Sequence, residues 1–375
     1  MKLFFVISSL TGGGAQRVLA TLANELAERN HEVSILYSFT RKDYTLDGRI
    51  KSIDSDTPLA VVAGNRIKRV AIAFANKYNN LRFLNGTIEQ ERPDVVVSFM
   101  QTYHWQLLMI CRRKRIPLVF SERTTVTRYT SYHNDFRLKH LLKYADKVTI
   151  LSEYDKQFLK GKLPNAVVMP NPLSCEPITK TEYDEIFNSR KDILAVGRLE
   201  PVKGYDELIR AFALVADKYP SWYLDFAGKE ESANHYSDKL KALVRELHLE
   251  GRVRFLGFHD DVHQVMKEHS VFCLTSLNEG FPNALAEAMA MGMASISFDI
   301  VTGPREIITD KVDGVIVANR SCEDFAKELD KLMDSTSLRY SLGLNAIENI
   351  KRYSLEKMVD KWEQMLHELA ERNKE

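Results

Sequence analysis

With 375 residues, 45% of them hydrophobic, and a net charge of only +1, the chain is long enough for two compact domains and is not a uniformly basic or acidic binder. Its four cysteines, Cys111, Cys175, Cys273 and Cys322, lie far apart with no C-x-x-C, which speaks against a zinc ribbon or a disulfide framework and for a reduced, cytoplasmic protein. The apolar run Met1–Ile7 is too short for a signal peptide, and no stretch reaches the roughly 18 apolar residues of a membrane span, so any membrane contact is expected to be peripheral.

In chain order, Lys2–Ser8 reads as a strand, Gly12–Gly14 as a glycine loop and Ala15–Arg29 as a helix with Val18, Leu19, Leu22 and Leu26 on one face. Gly13 and Gly14 let a ligand approach the backbone, or simply make a tight turn. The run is not G-x-G-x-x-G and no clear acid follows at the dinucleotide offset, so a nicotinamide cofactor is disfavoured. Glu32–Ser38 is a second strand. The only D-x-D, Asp54-Ser55-Asp56, reads as a loop, and no catalytic metal is expected. Between Asp56 and Glu89 there are no acids, and Arg66, Lys68, Arg69, Lys77 and Arg82 accompany an apolar stripe at Ile67, Val70, Phe74, Tyr78 and Leu81. This is a basic amphipathic helix that either docks on a membrane or faces the core with its charges in water.

Strands follow at Asp94–Phe99, Pro117–Ser121 and Lys147–Leu151, so β and α segments alternate as in a parallel sheet. His104 lies after the first of these, with a structural role as the plainer reading, and Glu122 and Arg123 lie after the second. Arg112–Arg115 is a basic cluster suited to a helix C-terminus, and Ser152 with Asp155 reads as a capping box. Pro170-Asn171-Pro172 and the polar run to Arg190 place a linker at 171–190. Residues 1–170 hold 26 Lys+Arg against 15 Asp+Glu, and the remainder 26 against 36. The basic half is expected to meet an anionic phospholipid surface or phosphorylated acceptor; nucleic acid ranks last, with no helix-turn-helix, zinc-finger or RNP pattern.

A second βα series begins at Asp192–Gly197, with strands near Trp222–Ala227, Arg252–Phe255, Val271–Thr275 and Ala294–Phe298. After its first strand, Arg198 and Lys203 flank Pro201, placing two cations where open α/β sheets bind ligands. His259 and His263 could share a helix face as metal ligands do, but no third ligand is in view and a solvated pair is expected. The densest stretch is Leu277–Asp313. There the turn Glu279–Pro282 feeds a helix from Asn283 to Met291 that stops at Gly292, a natural cradle for a diphosphate. Glu279 and Glu287 read, taken alone, as a loop acid and a helix-surface acid. No Ser-His-Asp or P-loop pattern is present.

Taken together, Gly197–Gly204, Glu279-Gly280-Phe281-Pro282-Asn283, Glu287-Ala288-Met289-Ala290, Gly303-Pro304-Arg305-Glu306-Ile307-Ile308 and Asp313-Gly314 resemble the nucleotide-sugar signature of the group-1 (family 4) retaining glycosyltransferases of bacterial surface polysaccharides and lipid-linked glycans. The resemblance implies the GT-B fold, two Rossmann-like parallel-sheet domains facing a cleft. It also implies an acceptor domain at 1–170, a nucleotide-sugar domain at 191–353 and a terminal helix, 354–375, crossing back to the first domain. It implies that Arg198 and Lys203 bind the diphosphate, that Glu279 contacts the donor sugar, that Gly280, Phe281, Pro282 and Asn283 shape the phosphate turn, and that Glu287 binds the ribose. Gly13 and Gly14 would belong to the first cleft loop, in which Gln16 stands where the family often has an acid.

The family's usual histidine after the strand Pro117–Ser121 is replaced by Arg123, which leaves His104, Glu122 and Arg123 as possible acceptor-side groups. The implied activity is retaining, metal-independent transfer of a hexose or N-acetylhexosamine from a UDP-sugar, with no cofactor, to a lipid-linked glycan at the inner face of the plasma membrane. General likeness leans towards galactose or N-acetylgalactosamine. A UDP-sugar epimerase and an inactive sugar-nucleotide-binding partner subunit are the alternatives.

Overall fold

The computed structural model describes residues 1–38, 43–55, 66–101, 103–125, 137, 140–230 and 235–372, with backbone alone over 66–77. The chain divides into two compact units, Met1–Pro172 with Leu355–Glu375, and Leu173–Ser354.

The first unit is built on seven parallel strands: β1 (Lys2–Val6), β2 (Glu32–Tyr37), β3 (Lys51–Asp54), β4 (Val95–Phe99), β5 (Leu118–Ser121), β6 (Lys147–Ile150) and β7 (Ala166–Val168). Their spatial order is β3-β2-β1-β4-β5-β6-β7. Runs such as Val95-Val96-Val97 are apolar at every position because helices cover both faces of a parallel sheet. Those helices are α1 (Gly14–Glu28), α2 (Arg66–Glu91), α3 (His104–Lys114) and α4 (Glu153–Phe158). Ser152 caps α4 by accepting from Asp155 N at 3.0 Å.

The second unit holds β8 (Lys191–Val196), β9 (Leu224–Ala227), β10 (Val253–Gly257), β11 (His269–Leu274), β12 (Ala294–Phe298) and β13 (Val315–Val317), in the order β10-β9-β8-β11-β12-β13. Its helices are α5 (Lys180–Phe187), α6 (Tyr205–Ala213), α7 (Tyr236–Glu246), α8 (Val262–Glu268), α9 (Asn283–Ala290), α10 (Pro304–Ile307), α11 (Cys322–Asp334) and α12 (Thr336–Ile350). In each sheet the direction of strand succession reverses once, between β1 and β4 and between β8 and β11. At such a switch point the connections leave in opposite directions and open a crevice at the strands' carboxyl ends.

The terminal helix α13 (Leu355–Arg372) belongs to the first unit. Its apolar stripe Val359, Trp362, Leu366 and Leu369 joins the core formed by β1, β4 and α1, and Trp362 is fully buried with its ring stacked on Phe99 at 6.1 Å.

Every strand expected from the sequence is present, and β3, β7 and β13 are additional. They are three or four residues long, too short for periodicity to register, and each pairs along only one edge. Asp54, expected in a loop, therefore ends β3, while Asp56 lies outside the described residues. Within the expected linker, Lys180–Phe187 forms α5 with Thr179 as its cap. The basic stripe at Arg66, Ile67, Lys68, Arg69, Val70, Phe74 and Lys77 falls on side chains outside the described residues, although its backbone is helical. Further along α2, Leu84 and Ile88 pack into the core and Tyr78 is exposed.

Trp362→Ala should destabilise the first unit by about 3–5 kcal/mol, the usual cost of emptying an aromatic site in a core. The urea midpoint of that unit's transition measures it, and a shift worth under about 1 kcal/mol would mean that α13 is not part of the core.

Candidate functional site

In the second unit the loops that follow β8 and β11 meet at the switch point. The β8 loop starts at Gly197 (φ +151°), against which Gly228 (φ +159°) packs so closely that a Cβ there would lie 1.9 Å from Gly197 O. Only glycine allows the two strand ends to touch. Pro201–Lys203 then makes one 3₁₀ turn and Gly204 (φ +62°) enters α6. A Cβ on Gly204 would stand 2.3 Å from Thr275 O, so this residue too must be glycine. Leu277 N donates to Val202 O at 2.7 Å and Thr275 Oγ1 to Lys203 O at 3.0 Å, which locks the β8 loop to the end of β11.

This lock brings Lys203 and Glu279 together, and Lys203 Nζ donates to Glu279 Oε1 at 2.8 Å. Ser276 Oγ donates to the same oxygen at 2.7 Å, and Thr302 Oγ1 donates to the Glu279 carbonyl. Gly303 (φ +100°) backs the turn, since a Cβ there would be 2.7 Å from Pro282 Cδ. The Gly303-Pro304 motif thus serves to let the β12 loop press on the turn after Glu279. Gly280 lies within this turn. Phe281 is buried edge-on to Tyr353 at 5.2 Å, and Pro282 caps α9, of which Asn283 is the first residue. Arg198 is the exposed cation of the loop, 58% accessible, with Nη1 3.0 Å from Glu200 Oε1.

Glu287 is not the helix-surface acid of the plainer reading: it is only 3% exposed on α9. Ser174 Oγ donates to its Oε1 at 2.8 Å, and His263 Nε2 stands 3.7 Å from its Oε2, an ion-pair distance rather than a hydrogen bond. Here the expectation of a solvated histidine pair is corrected. His259 is exposed, but His263, one residue into α8, is turned inward on Glu287. Cys175 and Glu287 together push the His263 imidazolium up to about 10. Asp313, from the last element of the motif, is a turn-holding residue. Fully buried, it accepts from Thr309 N at 2.7 Å and Asn349 Nδ2 at 2.5 Å, and burial raises its pKa.

In the first unit, Gly13 (φ +89°) caps α1, of which Gly14 is the first residue, and Tyr44 Oη donates to Gly13 O at 2.9 Å. After β4 and β5 the structure pairs two of the acceptor-side candidates: His104 Nδ1 lies 3.6 Å from Glu122 Oε1. Arg137 Nη2 donates to that oxygen at 2.9 Å, and the His104 ring stacks on Phe120 at 3.9 Å. Burial pulls the His104 pKa down to about 4, so the imidazole is neutral at pH 7. Arg123 is held inside the unit. Its guanidinium donates to Ser121 Oγ, Met169 O and Asn171 Oδ1 and lies over the rings of Phe99 and Trp362 at 5.1 and 5.4 Å. Sequence reading missed Ser174, Ser276 and Thr302 and saw His263 only as one of a solvated pair, since isolated hydroxyls and one histidine do not reveal their partners until the loops are folded.

Two doubly wound units, with paired cations and carboxylates at the switch point of the second, make up the GT-B architecture. Glycosyl transferases group 1 matches residues 180–349 and Glycosyltransferase Family 4 matches residues 12–176, and the chain belongs to these glycosyltransferase families. Among its relatives is a GalNAc-alpha-(1->4)-GalNAc-alpha-(1->3)-diNAcBac-PP-undecaprenol alpha-1,4-N-acetyl-D-galactosaminyltransferase of Campylobacter jejuni, 25% identical over 98% of this chain and 99% of that protein. Another is the amylovoran biosynthesis glycosyltransferase AmsD of Erwinia amylovora, 26% identical over 98% and 99%. The Anabaena protein HepE, solved in complex with UDP, shares the fold with a TM-score of 0.77 at 17% identity, covering 98% of this chain and 100% of that one.

The folded pKa of His263 lies above its ordinary 6.5, so the contribution of its contacts with Cys175 and Glu287 is complete below about pH 6.5 and is lost as pH rises towards about 10. The thermal midpoint of the second unit should therefore fall across that window, and fall less in His263→Gln. Parallel pH profiles for the two proteins would show that these contacts add nothing.

Proposed function

We propose that this glycosyltransferase moves a hexose or N-acetylhexosamine from a UDP-sugar onto a glycan acceptor, with retention of configuration and without a catalytic metal. The observation that carries the reading is the Lys203–Glu279 contact at 2.8 Å, made at the switch point beside the exposed Arg198 and the N-terminus of α9. A diphosphate leaving group gains charge as the C1–O bond of the donor breaks. Arg198, Lys203 and the first N–H groups of α9 are fixed positive ends that can stabilise it. Displacement of Lys203 onto the diphosphate releases Glu279 for the sugar hydroxyls, while Glu287, oriented by Ser174 and His263, receives the ribose. The acceptor hydroxyl forms its bond to C1 on the face from which UDP leaves, and the departing phosphate oxygen takes the hydroxyl proton. No protein base is needed, in keeping with Arg123 at the position of the family's histidine and with a neutral, buried His104. His104 and Glu122 then belong to the wall of the acceptor region.

UDP release from a panel of UDP-sugars, in EDTA and without acceptor, tests this reading. Slow hydrolysis of one sugar is expected, falling about 100-fold or more in Lys203→Ala. Equal rates in the two proteins, or a requirement for a divalent cation, would contradict it.

The acceptor in this reading is a lipid-linked glycan of bacterial polysaccharide synthesis, met at the cytoplasmic face of an anionic membrane. In support, the Campylobacter relative's name carries a PP-undecaprenol glycan. None of the described helices is long and apolar enough to cross a membrane. A peripheral surface is, however, offered by α3, whose Trp105, Met109, Arg112 and Arg113 are exposed on one helical face. Beside it, at the amino end of β5, a cavity of about 360 Å³ is lined by Arg112, Arg115, Tyr144 and Arg372. Neutralising Arg112 and Arg113 together should weaken sedimentation with anionic liposomes about 10- to 30-fold, at about 1 kcal/mol per cation. Binding that ignores lipid charge would remove the membrane from the account.

A further inference from the structure

A second polar cluster, unrelated to the donor site, lies in the first unit where α1 turns into β2. The chain leaves α1 through a Schellman motif: Asn30 takes φ +65°, His31 N donates to Leu26 O at 3.1 Å and Asn30 N to Ala27 O at 3.1 Å. That motif fixes the backbone of His31. Facing it, Glu363 and His367 stand four residues apart on α13, hence on one side of the helix, and the adjoining stripe Val359, Trp362, Leu366 and Leu369 anchors it in the core. His31 Nε2 lies 2.6 Å from Glu363 Oε1, and the His31 and His367 rings are 5.7 Å apart. One ligand atom from each of the three residues falls within 4.8 Å of the others.

We propose that His31, Glu363 and His367 bind a divalent transition-metal ion of the zinc class, which clamps the terminal helix to the α1–β2 turn. Two imidazoles and a carboxylate suit zinc, cobalt, nickel or copper rather than calcium or magnesium, and three protein ligands leave a fourth position for water. The ion enters between His31 Nε2 and Glu363 Oε1, now 2.6 Å apart, any proton between them passes to water, and the exposed His367 swings in to complete the set. The charges around it favour a dication. Arg29 binds Glu363 through the other carboxylate oxygen, at 2.8 Å, and also binds Asp360 at 2.6 Å and Glu25 at 3.2 Å. One guanidinium therefore faces three carboxylates, and with the Met1 ammonium 3.4 Å from His31 Nδ1 the cluster still keeps one net negative charge to attract a cation. The ion's role is structural: α13 follows directly on the second unit at Ser354, and the clamp holds its far half to the first.

Titration of the full chain with Co²⁺, followed by visible absorption, and with Zn²⁺, followed by the thermal midpoint, tests the site. One equivalent is expected to bind with a nitrogen- and oxygen-type cobalt spectrum and to raise the midpoint, and His367→Ala should weaken binding about 10-fold or more. His367 is exposed, so that variant keeps its fold, which circular dichroism checks; His31→Ala should behave alike. Unchanged affinity in His367→Ala would overturn the proposal. So would a thiolate-to-cobalt charge-transfer band, which would place the ion on Cys175 or Cys322, or a midpoint indifferent to Zn²⁺.

Discussion

Lys203 and Glu279 meet because two loops from adjacent strands are forced into contact, and much of the second unit serves that contact. Gly204 admits the Thr275 carbonyl, Gly228 admits the end of β8, and Gly303 admits Pro282. A Cβ at these positions would meet a neighbouring atom at 1.9 to 2.7 Å, so any side chain there must shift the loops. Ser276 and Thr302 then hold the Glu279 turn from its side chain and from its backbone. The pair is half-sheltered, with the two side chains 22% and 16% accessible. Its Coulomb energy is worth more there than at the open surface, and either partner can still be drawn to an entering ligand.

The two glutamates are therefore different chemical objects. Glu279 shares one oxygen between a cation and a hydroxyl, an arrangement a diphosphate can reorganise. Glu287 is sealed between Ser174 and the raised imidazolium of His263. In the proposed reading, this fixed carboxylate is the hydrogen-bond acceptor for a pair of ribose hydroxyls. In the first unit the comparable polar groups are more deeply buried. Arg123 bonds to three oxygens and covers Phe99 and Trp362, so the residue standing in for a family histidine ties β5, the Met169–Asn171 segment and α13 into one body.

The fold was legible because continuous apolar strands alternating with amphipathic helices leave little but a parallel sheet. Strands as short as Ala166–Val168 escape such reading, as their pairing with β6 is a long-range fact. At the site, the glycines, prolines and charged residues of Gly197–Gly204 and Glu279–Glu287 carry local backbone constraints that spacing reveals. His263 and Ser174 act only across tertiary contacts, so spacing reveals the partner of neither. Arg123 is a different case: its position in a motif pointed outward to a ligand, and the structure adds that its cation bonds to Ser121, Met169 and Asn171.

Hydrogen exchange measured by mass spectrometry with and without UDP, in EDTA, addresses the central claim most directly. Protection should concentrate in peptides covering residues 197–204 and 276–290. Protection confined to other regions, or none at saturating UDP, would contradict the assignment of the donor site to the switch point of the second unit.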